Sequence, residues 1–316
     1  MPSPSPTPAT STPCAVGRGD GILVRNLCLR RGASLLLDDV SVSFRPGEFV
    51  SILGPNGAGK SSLLKVITRE ISATSGTVEW DGKALGQWSV PAMARRRAVL
   101  PQESSLSFPF PVHEVVMLGR SPHLRGAESP LDYRIVQHCM DLAGVTHLAR
   151  RSYLTLSGGE KHRVHFARVL AQITGAQDVA SAAASTGTDA TAGEESFAPA
   201  PPIGPEIPAT PFLMLDEPTA ALDLYHQHSV LHTARSLLPR GIGVITIVHD
   251  LTLAGRYADR IILLEKGRLV ADGTPDEVLG SDTIQRVFGV LIHRHISPDD
   301  GKPVYVASTP RIVPGL

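Results

Sequence analysis

"GPNGAGKSS", residues 54–62, follows the apolar run "FVSIL" and precedes "LLKVITRE". Gly54-Pro55-Asn56-Gly57-Ala58-Gly59-Lys60-Ser61 satisfies G-x-x-x-x-G-K-[ST], and both flanks suit that motif: a short buried strand before it, a helical apolar period after it. Glycines let main-chain N–H groups close on an anion, Lys60 can reach the outer phosphates, and the Ser61 hydroxyl, with Ser62 beside it, can face Mg²⁺. A chance glycine turn leaves the flanking strand and helix unexplained. The stretch therefore implies a bound nucleoside triphosphate.

Such a loop needs an acidic partner, and "FLMLDEP" at 212–218 supplies one. Four apolar residues read as a buried parallel strand ending in Asp216 and Glu217. Asp216 is placed to hold the Mg²⁺ shell, Glu217 to orient and deprotonate an attacking water. "GVITIVHD" repeats the pattern, ending at His249. A second anion-ready helix start is "TLSGGEKHR", 155–163, where Ser157, Gly158 and Gly159 open a long amphipathic helix. A helix N-terminus carries about half a positive charge, so this turn wants an anion too.

Around these motifs the alternation in "ILVRNLCL" and "VSVSF" predicts antiparallel strands between Gly21 and Phe49. "SGTVEWDGKAL" predicts a hairpin turning at Asp81-Gly82, "RIILLEKGRLVADG" another, and "LIHRHIS…PVYVAS" a terminal pair. Helical patterns, "PVHEVVMLGR" and "LDYRIVQHCMDLAGV", fill the span from about Glu103 to Ser152. Residues 1–19 and roughly 173–211 are rich in Pro, Ser, Thr and Ala and lack a periodic apolar face, so we expect a disordered tail and a flexible surface insertion.

Composition bounds the function. The 316 residues carry 30 basic and 30 acidic side chains, so no global field recruits nucleic acid or anionic lipid. No stretch approaches the roughly 18 apolar residues of a spanning helix, and with no Lys or Arg before Arg18 and no apolar run there, we expect no signal sequence. Cys14, Cys28 and Cys139 are too few and too scattered for a disulfide framework or a Cys-x-x-Cys metal site, which fits a reducing compartment.

The motifs and their order resemble the ATP-binding subunit of an ABC transporter over about residues 21–290. The phosphate loop comes first, then Gln102 of "LPQ", "LSGGE" at 156–160, Asp216-Glu217, Asp223 of "AALD" and His249. The resemblance implies an α/β P-loop cassette with a RecA-like mixed-sheet core, an N-terminal antiparallel β-subdomain and an inserted helical subdomain at about 103–160. Residues 291–316 remain as a C-terminal extension. It also implies roles: Gln102 senses Mg²⁺ and the water, His249 contacts the γ-phosphate and Glu217, and Asp223 lies at a subunit interface. ATP and Mg²⁺ are the implied cofactors. Two copies would sandwich each ATP head-to-tail between one copy's Lys60 loop and the other's Ser157 turn. They would sit on two membrane-spanning permease subunits at the cytoplasmic face of a bacterial inner membrane, served by a periplasmic binding protein.

Within the family, "LPQESSLSFPFPVHEVVMLGRSPH" and "VHFARVLAQ" are most similar to ATPases of haem import, with ferric siderophore and cobalamin importers as neighbours. A soluble ABC-type ATPase of DNA repair or translation is disfavoured because no heptad insertion is present. A P-loop GTPase is disfavoured by the absence of Asn-Lys-x-Asp. The aromatic residue that relatives stack on adenine is missing from "LRRGASLLL", leaving Arg30 or Arg31 to stack or stay solvated. His226 with His228 and His293 with His295 are incomplete ligand sets, so direct haem binding is not expected. Phe108 and Phe110 either line the groove that receives a permease helix or fill the helical subdomain's core.

Overall fold

The computed structural model describes residues 21–102, 106–124, 126–175, 210–220 and 222–309. The expected tail and most of the expected insertion lie outside these residues. Strands β1 (Ile22–Arg31) and β2 (Ser34–Phe44) pair antiparallel, and β4 (Ser75–Trp80) with β5 (Lys83–Ala84) completes a sheet of order β2-β1-β4-β5. The β4–β5 turn is Asp81-Gly82, both residues at positive φ, as a two-residue hairpin requires.

The second sheet has the order β10-β9-β3-β8-β7-β6. Its parallel members are β3 (Phe49–Leu53), β6 (Arg97–Leu100), β7 (Phe212–Asp216), β8 (Gly243–Ile247) and β9 (Arg260–Glu265). β10 (Arg268–Gly273) closes one edge antiparallel to β9. Side chains alternate across a strand, so this sheet divides two cores. Val50, Ile52, Phe212, Met214, Ile245 and Ile262 face the antiparallel sheet and its buried Trp80. Phe49, Leu53, Leu213, Leu215, Val244 and Leu263 face the helices.

Helix α1 (Lys60–Ile67) lies on the first side, while α3 (Val112–Met117), α4 (Pro130–Leu142) and α5 (Gly158–Ile173) gather on the other; α2 (Val90–Arg96) touches α5 but buries its Met93 in the first core. Three elements differ from the sequence expectation. The reading had no helix at 90–96 and no strand at 97–100, because the Ala- and Arg-rich "PAMARRRAVL" shows neither period clearly. The helix read through "PVHEVVMLGR" stops at Met117, and a 3₁₀ segment containing Pro122 takes over at Leu118–His123.

Downstream, α6 (Leu224–Ser236), α7 (Leu251–Tyr257), α8 (Pro275–Leu279) and α9 (Asp282–Phe288) follow, the first two after the central strands. The terminal pair is β11 (Leu291–Ile296) with β12 (Pro303–Ser308), antiparallel. Fold class, the hairpins and the buried strands thus match the expectation.

Candidate nucleotide site

The site gathers at the C-terminal ends of β3, β6, β7 and β8, where a parallel sheet leaves a crevice. From Leu53 the chain turns through residues 54–59 into α1. A Cβ at Gly54 would stand 2.3 Å from the Leu264 carbonyl oxygen, and one at Gly59 would stand 2.6 Å from that of Leu36. Gly59, at φ 98°, is the N-cap of α1 and makes no side-chain cap bond, and the first turn holds no acidic residue. The first N–H groups of α1 are therefore left for a ligand.

Lys60 folds back over the loop, its Nζ donating to the carbonyls of Gly54 at 2.7 Å and Pro55 at 3.0 Å. Burial holds its ammonium below the ordinary lysine range, opposed by the charges of Glu217 and Asp216. Ser61 Oγ donates to Asp216 Oδ1 at 3.2 Å. Burial pushes the Asp216 carboxyl up, helped by Glu217 and resisted by the Ser61 bond. A hydroxyl and a carboxylate converging on one point are hard oxygen donors of the kind Mg²⁺ takes.

Glu217 is gripped from both sides. Gln102 Nε2, just past β6, donates to Glu217 Oε2 at 2.8 Å, and His249 Nε2, just past β8, stands 2.6 Å from Oε1. Its own N–H donates to the Ile247 carbonyl at 3.0 Å, and its φ is 52°, a left-handed value uncommon for glutamate. With its amide nitrogen committed to Glu217, Gln102 keeps its amide oxygen as a further hard ligand.

Ser157, Gly158 and Gly159 do not join this cluster. Ser157 caps α5: its Oγ accepts from Glu160 N at 3.3 Å, and Glu160 Oε2 accepts from Ser157 N at 2.7 Å. This capping box was readable in the spacing S-x-x-E, yet the sequence reading missed it. Those same bonds hold the Glu160 carboxyl below its usual value. The turn is exposed, and among the described residues no hydrogen bond ties it to the phosphate loop of its own chain.

Asp223 caps α6, its Oδ1 accepting from His226 N at 2.9 Å. Leu224 and Tyr225, next to it, are about three-quarters exposed. Arg30 and Arg31 are exposed as well. Phe108 and Phe110 are at the surface rather than in the core. Phe110 borders a cavity of about 360 Å³ also lined by Met117, Leu118 and Tyr133 and by His113, Glu114 and Glu128.

Comparison with known proteins identifies the family. Residues 37–174 match the family model described as ABC transporter. The hemin import ATP-binding protein of Gloeobacter violaceus is 46% identical over 280 residues, 88% of this chain and 90% of the relative. That of Plesiomonas shigelloides is 44% identical over 283 residues, 88% of this chain and 98% of the relative. The Pseudomonas aeruginosa protein of that name is 44% identical over 286 residues, 90% and 98% of the two chains. Among solved structures, an ATP-binding cassette of an ABC transporter in its ADP conformation superposes with a TM-score of 0.65 at 20% identity, covering 85% of this chain and 98% of the other. A bacterial ABC transporter cassette solved as a dimer gives 0.63 at 24% identity, covering 80% and 98%. A phosphate loop, an acid pair and a capped Ser-Gly-Gly turn on one α/β frame, with relatives this similar over most of the chain, place it in a single group: it belongs to the ATP-binding proteins of the ABC transporter family.

Proposed function

We propose that this chain is the ATP-hydrolysing subunit of a haem importer, with Glu217 as the base. The observation that carries the reaction is the Gln102–Glu217–His249 chain of hydrogen bonds beside the Ser61–Asp216 pair. ATP enters over α1, whose free N–H groups take the phosphates. Each hydrogen bond to such a charged group is worth about 1.5–3 kcal/mol. Lys60 exchanges its bonds to the Gly54 and Pro55 carbonyls for β- and γ-phosphate oxygens. Ser61, Asp216 and the Gln102 amide oxygen would hold Mg²⁺, which would supply charge neutralisation at the transferring phosphoryl group. Glu217 accepts the proton of the attacking water, and His249 keeps the carboxylate aimed while offering its imidazole to the γ-phosphate.

One chain leaves that γ-phosphate open on one side. The Ser157 turn is preshaped and exposed but unconnected to its own loop, which favours a second copy bringing its Ser157 hydroxyl and its Gly158 and Gly159 N–H groups to the ATP on this one. Asp223, with exposed Leu224 and Tyr225, then falls at the covered seam. ATP closes two copies head-to-tail and hydrolysis lets them part, a rigid-body motion passed to a permease.

Among the described residues no helix is long and apolar enough to cross a membrane. Attachment to the cytoplasmic face of the inner membrane therefore runs through permease subunits. The cavity beside Phe110, lined by apolar side chains together with Glu114 and Glu128, suits a short permease helix. A periplasmic binding protein delivers the cargo. Haem as that cargo is supported by the names of the relatives. Haem-stimulated ATP hydrolysis by the reconstituted complex tests it, and stimulation by a ferric siderophore or cobalamin instead would reassign it.

A further inference from the structure

The terminal hairpin is the part of the chain that this reaction leaves unused. β11 and β12 pair without a register shift from Leu291–Ser308 to Ile296–Pro303. Their inward face carries Tyr305, 1% exposed. Its ring occupies the space a side chain at 255 would need: a Cβ on Gly255 would stand 2.2 Å from it. Its carbonyl accepts from Thr252 Oγ1 at 2.6 Å, and its hydroxyl donates to Asp276 Oδ1 at 2.6 Å, the oxygen that also takes Arg294 Nε at 2.6 Å. At the hairpin's turn, Asp300 accepts from Arg256 Nη2 at 2.8 Å.

Thr252, Gly255 and Arg256 all belong to α7, a helix of seven residues. A helix that short has no stability of its own and takes its place from what it packs on. Its N-cap, Asp250, accepts from Thr252 N at 2.7 Å and Leu253 N at 3.1 Å, and the residue before that cap is His249. The His249 side chain is 46% exposed, so few neighbours hold the ring directly. Its distance from Glu217 is set by the backbone it hangs from, which β8 holds on one side up to Ile247 and α7 on the other, where the hairpin packs on Thr252 and Gly255.

We propose that Tyr305 is a positioning residue for His249: the terminal hairpin clamps α7 and thereby sets the imidazole against Glu217. The inference rests on the role assigned to His249 above. A displacement of an ångström far from the chemistry can lower turnover by up to about a hundredfold.

The test is a mutant cycle in the full-length protein. Tyr305→Ala should lower kcat about tenfold, with the dissociation constant for a fluorescent ATP analogue unchanged. Placed in a His249→Ala background, it should lower the residual kcat by less than about twofold. An equal loss in both backgrounds, or a weakened nucleotide affinity that accounts for the loss, overturns the proposal. His249→Ala with wild-type turnover would instead overturn the catalytic reading itself. Should Tyr305→Ala not fold, Thr252→Val removes the hydroxyl bond alone and enters the same cycle. A Thr252→Val effect on kcat that persists undiminished without His249 likewise overturns the proposal.

Discussion

His249 Nε2 lies 2.6 Å from Glu217 Oε1, although the two residues are 32 apart in sequence and sit after different strands. β7 and β8 are adjacent and in register up to Asp216 and Ile247, so the residues just beyond each strand end meet. With Gln102 on its other oxygen, Glu217 has both lone-pair faces directed before any water arrives.

Replacing Glu217 by Gln keeps the shape and removes the base. Hydrolysis should fall by about 10²- to 10⁴-fold, while ATP binding persists and the ATP-bound dimer accumulates on size exclusion. Unchanged turnover would remove Glu217 from its role.

Ser157→Arg fills the phosphate side of the signature turn and strips the cap from α5. The cap loss should cost about 1 kcal/mol of stability, visible in a urea titration. Hydrolysis should disappear while the monomer still binds ATP; a monomer that no longer binds would contradict the two-copy site.

The cavity beside Phe110 makes a claim about partners. Truncating Phe110 and Tyr133 together to Ala removes two of its apolar walls. Capture of the permease in detergent should weaken about tenfold or more. Undiminished capture would place the permease contact elsewhere.

Acid should loosen the helical side of the molecule first. Burial holds the imidazoles of His123, His162 and His165 below the ordinary 6.5, His165 down to about 4, with Arg168 adding repulsion there. Between those values the unfolded chain takes up a proton that folded His165 refuses, so stability is complete above about 6.5 and is lost as pH falls toward about 4. His165 should contribute about 1–3 kcal/mol to that loss. His165→Gln should flatten the pH dependence of the urea midpoint across this window, and an unaltered slope would assign the acid sensitivity to other groups.

The sequence disclosed what is periodic or chemically constrained. "FVSIL", "FLMLD" and "GVITI" are apolar at every or nearly every position because both faces of their sheet are covered, and each ends where the chemistry begins. Asp81-Gly82 disclosed its hairpin through a turn few residue pairs tolerate. β6 stayed hidden because it is four residues long and follows an arginine-rich helix directly, with no turn residue between them. That also obscured how Gln102 reaches Glu217: the glutamine was legible, the strand that delivers it was not. Tyr305 was illegible for another reason. Its partners, Thr252, Gly255 and Asp276, are between 29 and 53 residues away, and no local pattern announces a ring that replaces a missing side chain.

The capping box at Ser157 limits what that position can be. Aspartate and asparagine cap a helix as well as serine does, since a cap needs only an acceptor. A hydroxyl, however, accepts from Glu160 N with a lone pair and still has its proton to give away. An aspartate there would keep α5 intact and turn the same turn from a phosphate donor into a phosphate repellent. In the proposed dimer, fold and recognition thus draw on opposite ends of one O–H bond, which among the good caps only serine and threonine carry.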